Sequence, residues 1–279
     1  MRRRLHDLVL VVELLAVIEL LAFAGLLATA GCRSGRSGAG TDIVVTDAAL
    51  EAPADEAAAG PFPVLLFSRT LGFRHDSIPA AIQALTDLQE TGGFTVEATE
   101  DPTAFNADNL ARFRVVVFLM TTGDVLDDDQ QAAFEAWVAA GGGYLGVHSA
   151  ADTEYSWPFY GALMGAYFKQ HPAIQPASVD VEVADHPAMA GLASPWMRTD
   201  EWYDFQTNPR ASVTVLATVD ESSYTGGTMG PDHPIVWSHD TSGGGRALYT
   251  AMGHTQQSYA DPAFRQHLTG ALRWVAGVE

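Results

Sequence analysis

The stretch Gly141-Gly142-Gly143-Tyr144-Leu145-Gly146-Val147-His148-Ser149-Ala150-Ala151-Asp152-Thr153-Glu154-Tyr155 decides the fold. The glycines close a helix, Tyr144 to Val147 read as a short buried strand, and the chain then turns sharply into small and polar residues. In an open α/β sheet, ligands sit at such a place, outside the carboxyl end of a strand. The pattern Gly146-Val147-His148-Ser149-Ala150 has the form of a nucleophile elbow, a strained strand-to-helix turn that lifts one side chain above the sheet. The lifted residue is His148, which separates the chain from enzymes that place cysteine or serine there.

Upstream of this turn, Val64-Leu65-Leu66-Phe67 is a continuous apolar run of the kind found in strands covered on both faces. A polar loop, Ser68 to Ser77, follows it. Ser77 is placed to cap a helix with Pro79 in its first turn and Ile78, Ile82 and Leu85 at helical spacing, and Gly92-Gly93 stops that helix. Thr95 to Ala98 and Val115 to Leu119 are two further strands. Asp127-Asp128-Asp129 opens a helix whose Phe134, Trp137 and Val138 share a face, the acidic start matching the helix macrodipole. Downstream come shorter strands, at Val179 to Val183, Val213 to Val219, Ile235 to Ser238 and Arg246 to Thr250. A last helix begins at Asp261-Pro262 and carries Phe264, Leu268, Leu272 and Val275 on one side. Strands alternating with helices predict an α/β fold: three layers, flavodoxin-like, with a mostly parallel sheet.

At 279 residues with 47% hydrophobic content, the chain can bury a sizeable core. Its start reads as an export signal of the lipoprotein type over residues 1–31: a basic Met1-Arg2-Arg3-Arg4, an apolar run from Leu8 to Leu27, and small residues before Cys32, the lipidation candidate. Glu13 and Glu19 interrupt the run, and a retained membrane-anchoring helix is the alternative. Residues 32–60 are a polar tether and 61–279 the folded domain. Loss of the residues before Cys32 removes three arginines and three acids, so the net charge of −19 is unchanged. Such an acidic body is a poor match for nucleic acid and places the membrane contact in the lipid anchor alone. With one cysteine in the sequence, an intramolecular disulfide, a cysteine-rich zinc site and a cysteine nucleophile in the folded domain are excluded.

Polar residues collect at predicted strand ends: Arg74-His75-Asp76, His148-Ser149 with Asp152 and Glu154, Arg198 to Asp204, and Met252-Gly253-His254-Thr255. Histidine suits both proton transfer and metal ligation. His171, His186 and His233 each precede proline and read as turn residues with structural roles.

The blocks Gly72 to Ile78, Gly141 to Tyr155, Gly165-Ala166-Tyr167-Phe168, Arg198 to Tyr203, Asp220 to Tyr224 and Ala251 to Thr255 together resemble the trehalose-utilisation (ThuA-like) family, over about Pro63 to Gly277. The resemblance implies a domain similar to class I glutamine amidotransferases and a role in breaking down disaccharides or glycosides, with links to sugars oxidised to the 3-keto form. Amidotransferase chemistry does not carry over, because His148 stands where those enzymes need cysteine. The leading expectation is an exported enzyme acting on a 3-keto glycoside by base-assisted, and with a metal also metal-assisted, elimination or hydrolysis. His148, Glu201, His254 and Arg74 are its catalytic candidates, and His75, Asp76, Asp152, Trp202 and Tyr203 its substrate-binding candidates. His75, His148, His254 and Glu201 are further expected to bind a divalent metal, zinc first, since neutral imidazoles and a carboxylate suit it. Asp76, Asp204 or Asp152 can replace one of them. A metal-free reading leaves His148 as base with His254 or Arg74 steadying the enolate. The partners are a small carbohydrate and an oxidoreductase acting on the same sugar. Two rivals stay open: a sugar-binding lipoprotein with Trp157, Phe159, Tyr160, Trp202 and Tyr203 as stacking surfaces, and a two-carboxylate glycosidase using Asp152 and Glu201.

Overall fold

The structure, a computed structural model, describes residues 60–278. The expectations for the export signal, Cys32 and most of the tether lie outside the described residues.

The first half of the domain alternates strands with helices. β1 (Phe62–Phe67), β2 (Phe94–Thr99), β3 (Val115–Leu119) and β4 (Gly143–Val147) are separated by α1 (Ile78–Asp87) with the short α2 (Gln89–Gly92), by a one-turn α3 (Ala107–Leu110), and by α4 (Asp128–Ala139). After α5 (Pro158–Met164) come seven strands: β5 (Phe168–Gln170), β6 (Gln175–Val181), β7 (Trp196–Asp200), β8 (Asp204–Phe205), β9 (Thr214–Val219), β10 (Pro234–Asp240) and β11 (Arg246–Thr250). The helix α6 (Pro262–Val275) ends the chain's regular structure. Among the described residues, nine strands form one sheet in the order β2-β1-β3-β4-β11-β10-β9-β6-β7, and β5 pairs with β8 apart from it. β2, β1, β3, β4 and β11 run parallel. The remaining joins, β11 to β10, β10 to β9, β9 to β6 and β6 to β7, are antiparallel.

The parallel strands are apolar on both faces because helices cover both. On one face Phe118 of β3 and Tyr144 of β4 meet Phe134 of α4 and Tyr160 of α5, ring centroids 5.3 to 6.1 Å apart. On the other face α6 lies so close that a Cβ at Gly143 would stand 2.2 Å from the Val275 carbonyl. Truncating Phe118 to alanine would open a cavity under several of these rings and cost about 3–5 kcal/mol. The helices start as their sequences dictate. Asp127 closes a capping box with Gln130, and Asp261 accepts from Ala263 N ahead of Pro262. Ser77 is the exception: it occupies the N-cap position of α1, but its hydroxyl bonds Met120 Sδ at 3.2 Å instead of the helix backbone. α1 also stops earlier than expected, at Asp87, and Gly93, left-handed at φ 71°, ends α2.

Candidate functional site

His75 follows β1, His148 follows β4 directly, and His254 follows β11; these strands are parallel, so all three histidines reach the carboxyl edge of the sheet. β7 is reached from β11 through four antiparallel joins, an even number, so it runs in the same direction and delivers Asp200 and Glu201 to that edge too. In a flat sheet the two strand ends would be about 19 Å apart, at roughly 4.8 Å per strand. Yet the buried Asp200 carboxylate accepts from Gly253 N and from His254 N, each at 3.0 Å. The antiparallel half therefore curls back, and the loop after β11 reaches across to it. Gly253 makes that reach possible, at φ +114° and with the Tyr259 hydroxyl 2.6 Å from where a Cβ would be. Arg198 holds Asp200 in turn, bonding it at 3.3 Å and Asp261 at 2.8 Å.

The non-glycine residues described with positive φ are Met120 at 54°, His148 at 52° and Glu154 at 55°. Met120 follows β3, while His148 and Glu154 sit on the turn after β4, so backbone strain of about 1–3 kcal/mol per residue gathers at this rim. For His148 the strained backbone is fixed from both sides. Tyr249 Oη donates to its carbonyl at 2.8 Å, and its own Nδ1 meets the Ala251 carbonyl at 2.7 Å.

A carbonyl only accepts, so Nδ1 of His148 carries a hydrogen and Nε2 is the ring atom turned toward the site. That Nε2 lies 3.1 Å from His254 Nδ1 and 3.5 Å from Glu201 Oε2, and the last two atoms are 3.0 Å apart. Three atoms of metal-ligand type thus converge, and a hydrogen on His254 Nδ1 is placed to be donated to Glu201 Oε2. The edge of a tetrahedron around an ion with bonds of 2.0–2.1 Å is about 3.4 Å, close to all three separations. His75 completes the set, its ring 4.7 Å from that of His148 and 4.9 Å from that of His254. One ligand atom from each of the four residues lies within 4.8 Å of the others. The donor set fits a divalent ion of the zinc type.

The charges favour that fit at His75 and Glu201, whereas at His254 a proton competes with an ion. Burial first, then the neighbouring His148 and His254, push His75 down to about 3, so it is neutral and its lone pair is available. Burial works against the charge of Glu201, but hydrogen bonds with His148 and His254 outweigh it and hold the carboxyl down at about 2. Burial likewise opposes a charge on His254, and Glu201 outweighs it and raises that group. A carboxyl held low is poorly suited to the general-acid role in a two-carboxylate arrangement.

Beside the cluster opens a cleft of about 270 Å³, lined by Phe73, His75, Asp152, Phe168, His171, Glu201, Tyr203 and His254. The structure thus brings His75, Asp152, Glu201, Tyr203 and His254 to one cavity, with His148 directly behind them. Tyr203 lies against His148, ring centroids 4.3 Å apart. Four other expected residues are elsewhere. Arg74 is exposed and forked onto Glu100 at 2.6 and 3.1 Å, so its guanidinium is taken outside the cleft. Trp202 is buried, its indole donating to the Gln175 carbonyl at 2.9 Å, which corrects its assignment to the sugar site. Asp76 is exposed and lines no part of the cleft, and Asp204 belongs to a second cluster. Trp157 and Tyr160 pack in the core against Phe134 and Phe118. Ser149 is buried, with its hydroxyl 3.3 Å from His75 Nδ1.

Two residues of the site were not picked out from the sequence. His171, read there as a turn residue before proline, lines the cleft with Nδ1 3.0 Å from Glu201 Oε1. The usable signal was its position just after the block ending in Phe168. Asp200, inside another such block, is the acceptor that seats the His254 loop.

The second cluster, Asp204, Glu221 and His233, has the same residue types. Here the acceptors are already supplied. Asp204 takes Gln170 Nε2, Thr228 N and Thr228 Oγ1, and Glu221 Oε1 takes Met229 N at 2.7 Å. His233 gives Nε2–H to the Tyr203 carbonyl at 2.8 Å, and its Nδ1 lies 3.1 Å from the Tyr224 hydroxyl and 2.9 Å from Glu221 Oε1. A larger cavity of about 770 Å³, between α6 and Leu88, Thr91 and Pro187, has neither histidine nor carboxylate among its lining residues.

Fold and site define an α/β domain with a histidine and carboxylate centre at the carboxyl rim of its parallel strands. The chain belongs to the ThuA family, whose role is trehalose utilisation; the family model matches residues 63–275. Among solved structures it is similar to a ThuA-like protein of Bacteroides uniformis, with 26% identity over 80% of this chain and 95% of that one and a TM-score of 0.66. A ThuA-like protein of Parabacteroides merdae, 20% identical over 78% of this chain and 91% of that one, shares the fold with a TM-score of 0.65. No curated protein matches the chain.

Proposed function

We propose that the chain is an exported enzyme that cleaves 3-keto glycosides, 3-keto-trehalose among them, by metal-assisted elimination. The observation that carries this is the convergence of His148 Nε2, His254 Nδ1 and Glu201 Oε2, three atoms of metal-ligand type within 3.5 Å of one another. A divalent ion would take the place of the proton that otherwise joins His254 to Glu201. His75, His148, His254 and Glu201 would hold the ion, with Asp200 and the Ala251 carbonyl fixing the orientation of His254 and His148. When bound, a divalent ion supplies a Lewis acid for a sugar ketone and for the enolate that forms from it. The cleft of about 270 Å³ is just under the roughly 300 Å³ at which pockets for larger ligands begin, so it suits one sugar ring. Phe73, 66% exposed at the mouth, is placed to meet the next ring.

The test is protein purified without a metal-affinity tag, assayed for metal content and then incubated with trehalose and 3-keto-trehalose, with and without chelator. One equivalent of metal and chelator-sensitive release of glucose from the keto-sugar alone are expected. Sugar bound without turnover would leave a binding lipoprotein. Export is tested separately by fractionating Cys32→Ala, which should leave the membrane fraction; a variant that stays there points to a retained anchor.

A further inference from the structure

With four side chains holding the ion, the elimination still needs a group to move a proton. Glu154 is buried but already engaged, accepting from Leu126 N and Gln131 Nε2 at 2.8 Å each. His171 shares its Nδ1 between Glu201 and the Pro172 carbonyl, at 3.0 and 2.9 Å. Asp152 lines the cleft from the turn that also carries His148, and one hydroxyl is its hydrogen-bond partner.

We propose that Asp152 is the proton-transfer residue of this cleft, taking the proton from C2 of a 3-keto glycoside and returning it to the departing glycosidic oxygen. The assignment rests on the keto-sugar elimination proposed above.

The geometry that points to it is the Tyr155 hydroxyl, which lies 2.7 Å from Asp152 Oδ1 and 3.1 Å from the Phe168 carbonyl. A phenol has one proton and here faces two acceptors. When Asp152 is ionised, Tyr155 donates to it. When Asp152 carries a proton, it donates to the Tyr155 oxygen, which turns its own hydrogen to the Phe168 carbonyl. Both protonation states are therefore fully hydrogen-bonded without movement of heavy atoms, as a group that alternates between base and acid requires. The backbone does not yield either: the Asp152 carbonyl takes Gly123 N at 2.9 Å, and Glu154 N bonds the Gly123 carbonyl at 3.2 Å. Burial raises the Asp152 carboxyl, against the Tyr155 hydrogen bond and the nearby His148, both of which lower it, so it is a better base than an exposed aspartate. Tyr167, Tyr203, Tyr249 and His148 are the other titratable groups whose fields reach this pair.

The step balances without an oxidant or reductant. The Asp152 carboxylate takes H⁺ from C2, the C–H pair becomes the C2–C3 double bond, and the ketone pair moves onto oxygen. The enolate then re-forms the C3 carbonyl, its pair closes the C1–C2 double bond, and the C1–O bond breaks. The leaving oxygen takes the proton from Asp152, giving an unsaturated 3-keto sugar and a free alcohol, the second sugar.

The experiment follows 3-keto-trehalose cleavage and C2–H exchange in D₂O for the metal-loaded parent, Asp152→Asn and Tyr155→Phe. General acid–base catalysis is worth about 10²–10⁴-fold. Asp152→Asn, with one equivalent of metal retained, should lose at least about 100-fold in both exchange and cleavage. Tyr155→Phe should lose less and move the acid limb of its rate profile to higher pH, because ionised Asp152 has lost its donor. Asp152→Asn that keeps metal and more than a tenth of the parental rates removes Asp152 from the mechanism and leaves the elimination standing. If Asp152→Asn does not fold, an unmoved acid limb in Tyr155→Phe overturns the assignment by itself. A parent with full metal that neither exchanges nor cleaves the keto-sugar overturns the elimination and this assignment together, and it does so before any variant is compared.

Discussion

The two histidine–carboxylate clusters among the described residues, three histidines with a glutamate and one histidine with an aspartate and a glutamate, differ in what faces them. Around Asp204, Glu221 and His233, donors from Gln170, Thr228, Met229 and Tyr224 meet the acceptors, and the result is a closed network that ties the 221–233 segment to the Tyr203 carbonyl. Around His148, His254 and Glu201 the ring nitrogens and the carboxylate face one another, and the outer partners are acceptors, the Ala251 carbonyl behind the His148 ring and the Asp200 carboxylate under the backbone of Gly253 and His254. Under the metal-assisted function proposed above, the clusters differ in how many donors their carboxylates already receive and in how many ring nitrogens turn inward.

The harshest way to break the comparison is to remove ligands. His148→Ala and Glu201→Ala should each lower keto-sugar turnover by about 10³-fold or more and abolish stoichiometric metal, read by steady-state kinetics and elemental analysis. Turnover that survives without metal would make the first cluster another clamp.

A gentler cut removes the orientation and spares the ligands. Asp200→Asn keeps the size of the side chain that seats Gly253 N and His254 N but weakens it as an acceptor. Metal affinity should fall about 10–100-fold, the usual effect of losing an outer partner, with stoichiometry unchanged in a zinc titration against a competing chelator. Parental affinity would mean that His254 is seated without Asp200.

Asp200 also shows where the sequence stopped being legible. The parallel half was readable because strands covered on both faces are continuous apolar runs, as in Val115-Val116-Val117-Phe118-Leu119, and because proline and aspartate mark the start of α6. β7 was not, since its inward positions are Trp196, Arg198 and Asp200, and a buried charged pair looks like a loop. The histidines could be gathered at the rim from strand ends alone. That Glu201 joins them depends on the even number of antiparallel joins and on the curl that brings β7 back, and nothing local encodes either. Arg74, Trp202 and Asp76 failed for the complementary reason: adjacency to a site residue says nothing about where a side chain points, and Arg74 had Glu100 within reach on the neighbouring strand end.

Acid titration probes the first cluster without mutation. His75 is neutral in the folded protein down to about 3, whereas in the unfolded chain it takes up a proton near 6.5. Between these values the unfolded state binds more protons, so stability is full above about pH 6.5 and falls as the pH drops toward 3. By pH 5 the metal-free protein should have lost on the order of 2 kcal/mol through this group. His75→Gln should flatten that part of the curve when unfolding by urea is followed from pH 7.5 to 5. An unchanged slope would show that His75 is hydrated and charged in the folded state.

The smallest effect is the most discriminating, because the same substitution is made in both clusters. Glutamine keeps a carbonyl oxygen and loses the charge. In the second cluster Glu221 Oε1 receives Met229 N, a bond that an amide oxygen still accepts, and the amide nitrogen can donate to His233 Nδ1 where the carboxylate could not. Glu221→Gln should therefore cost about 1 kcal/mol, the net worth of one hydrogen bond, and leave the metal content of the protein untouched. Glu201→Gln should behave in the opposite way. Its negative charge is the counterion that a divalent ion among neutral imidazoles requires, and the amide neither replaces the charge nor keeps both oxygens as acceptors for His254 and His171. Metal analysis and thermal melting of the two variants side by side then give one that keeps metal and melts slightly lower, and one that loses metal. Should both lose metal in equal amounts, the closed network around His233 opens to take an ion, and the difference between the clusters is one of affinity and not of kind.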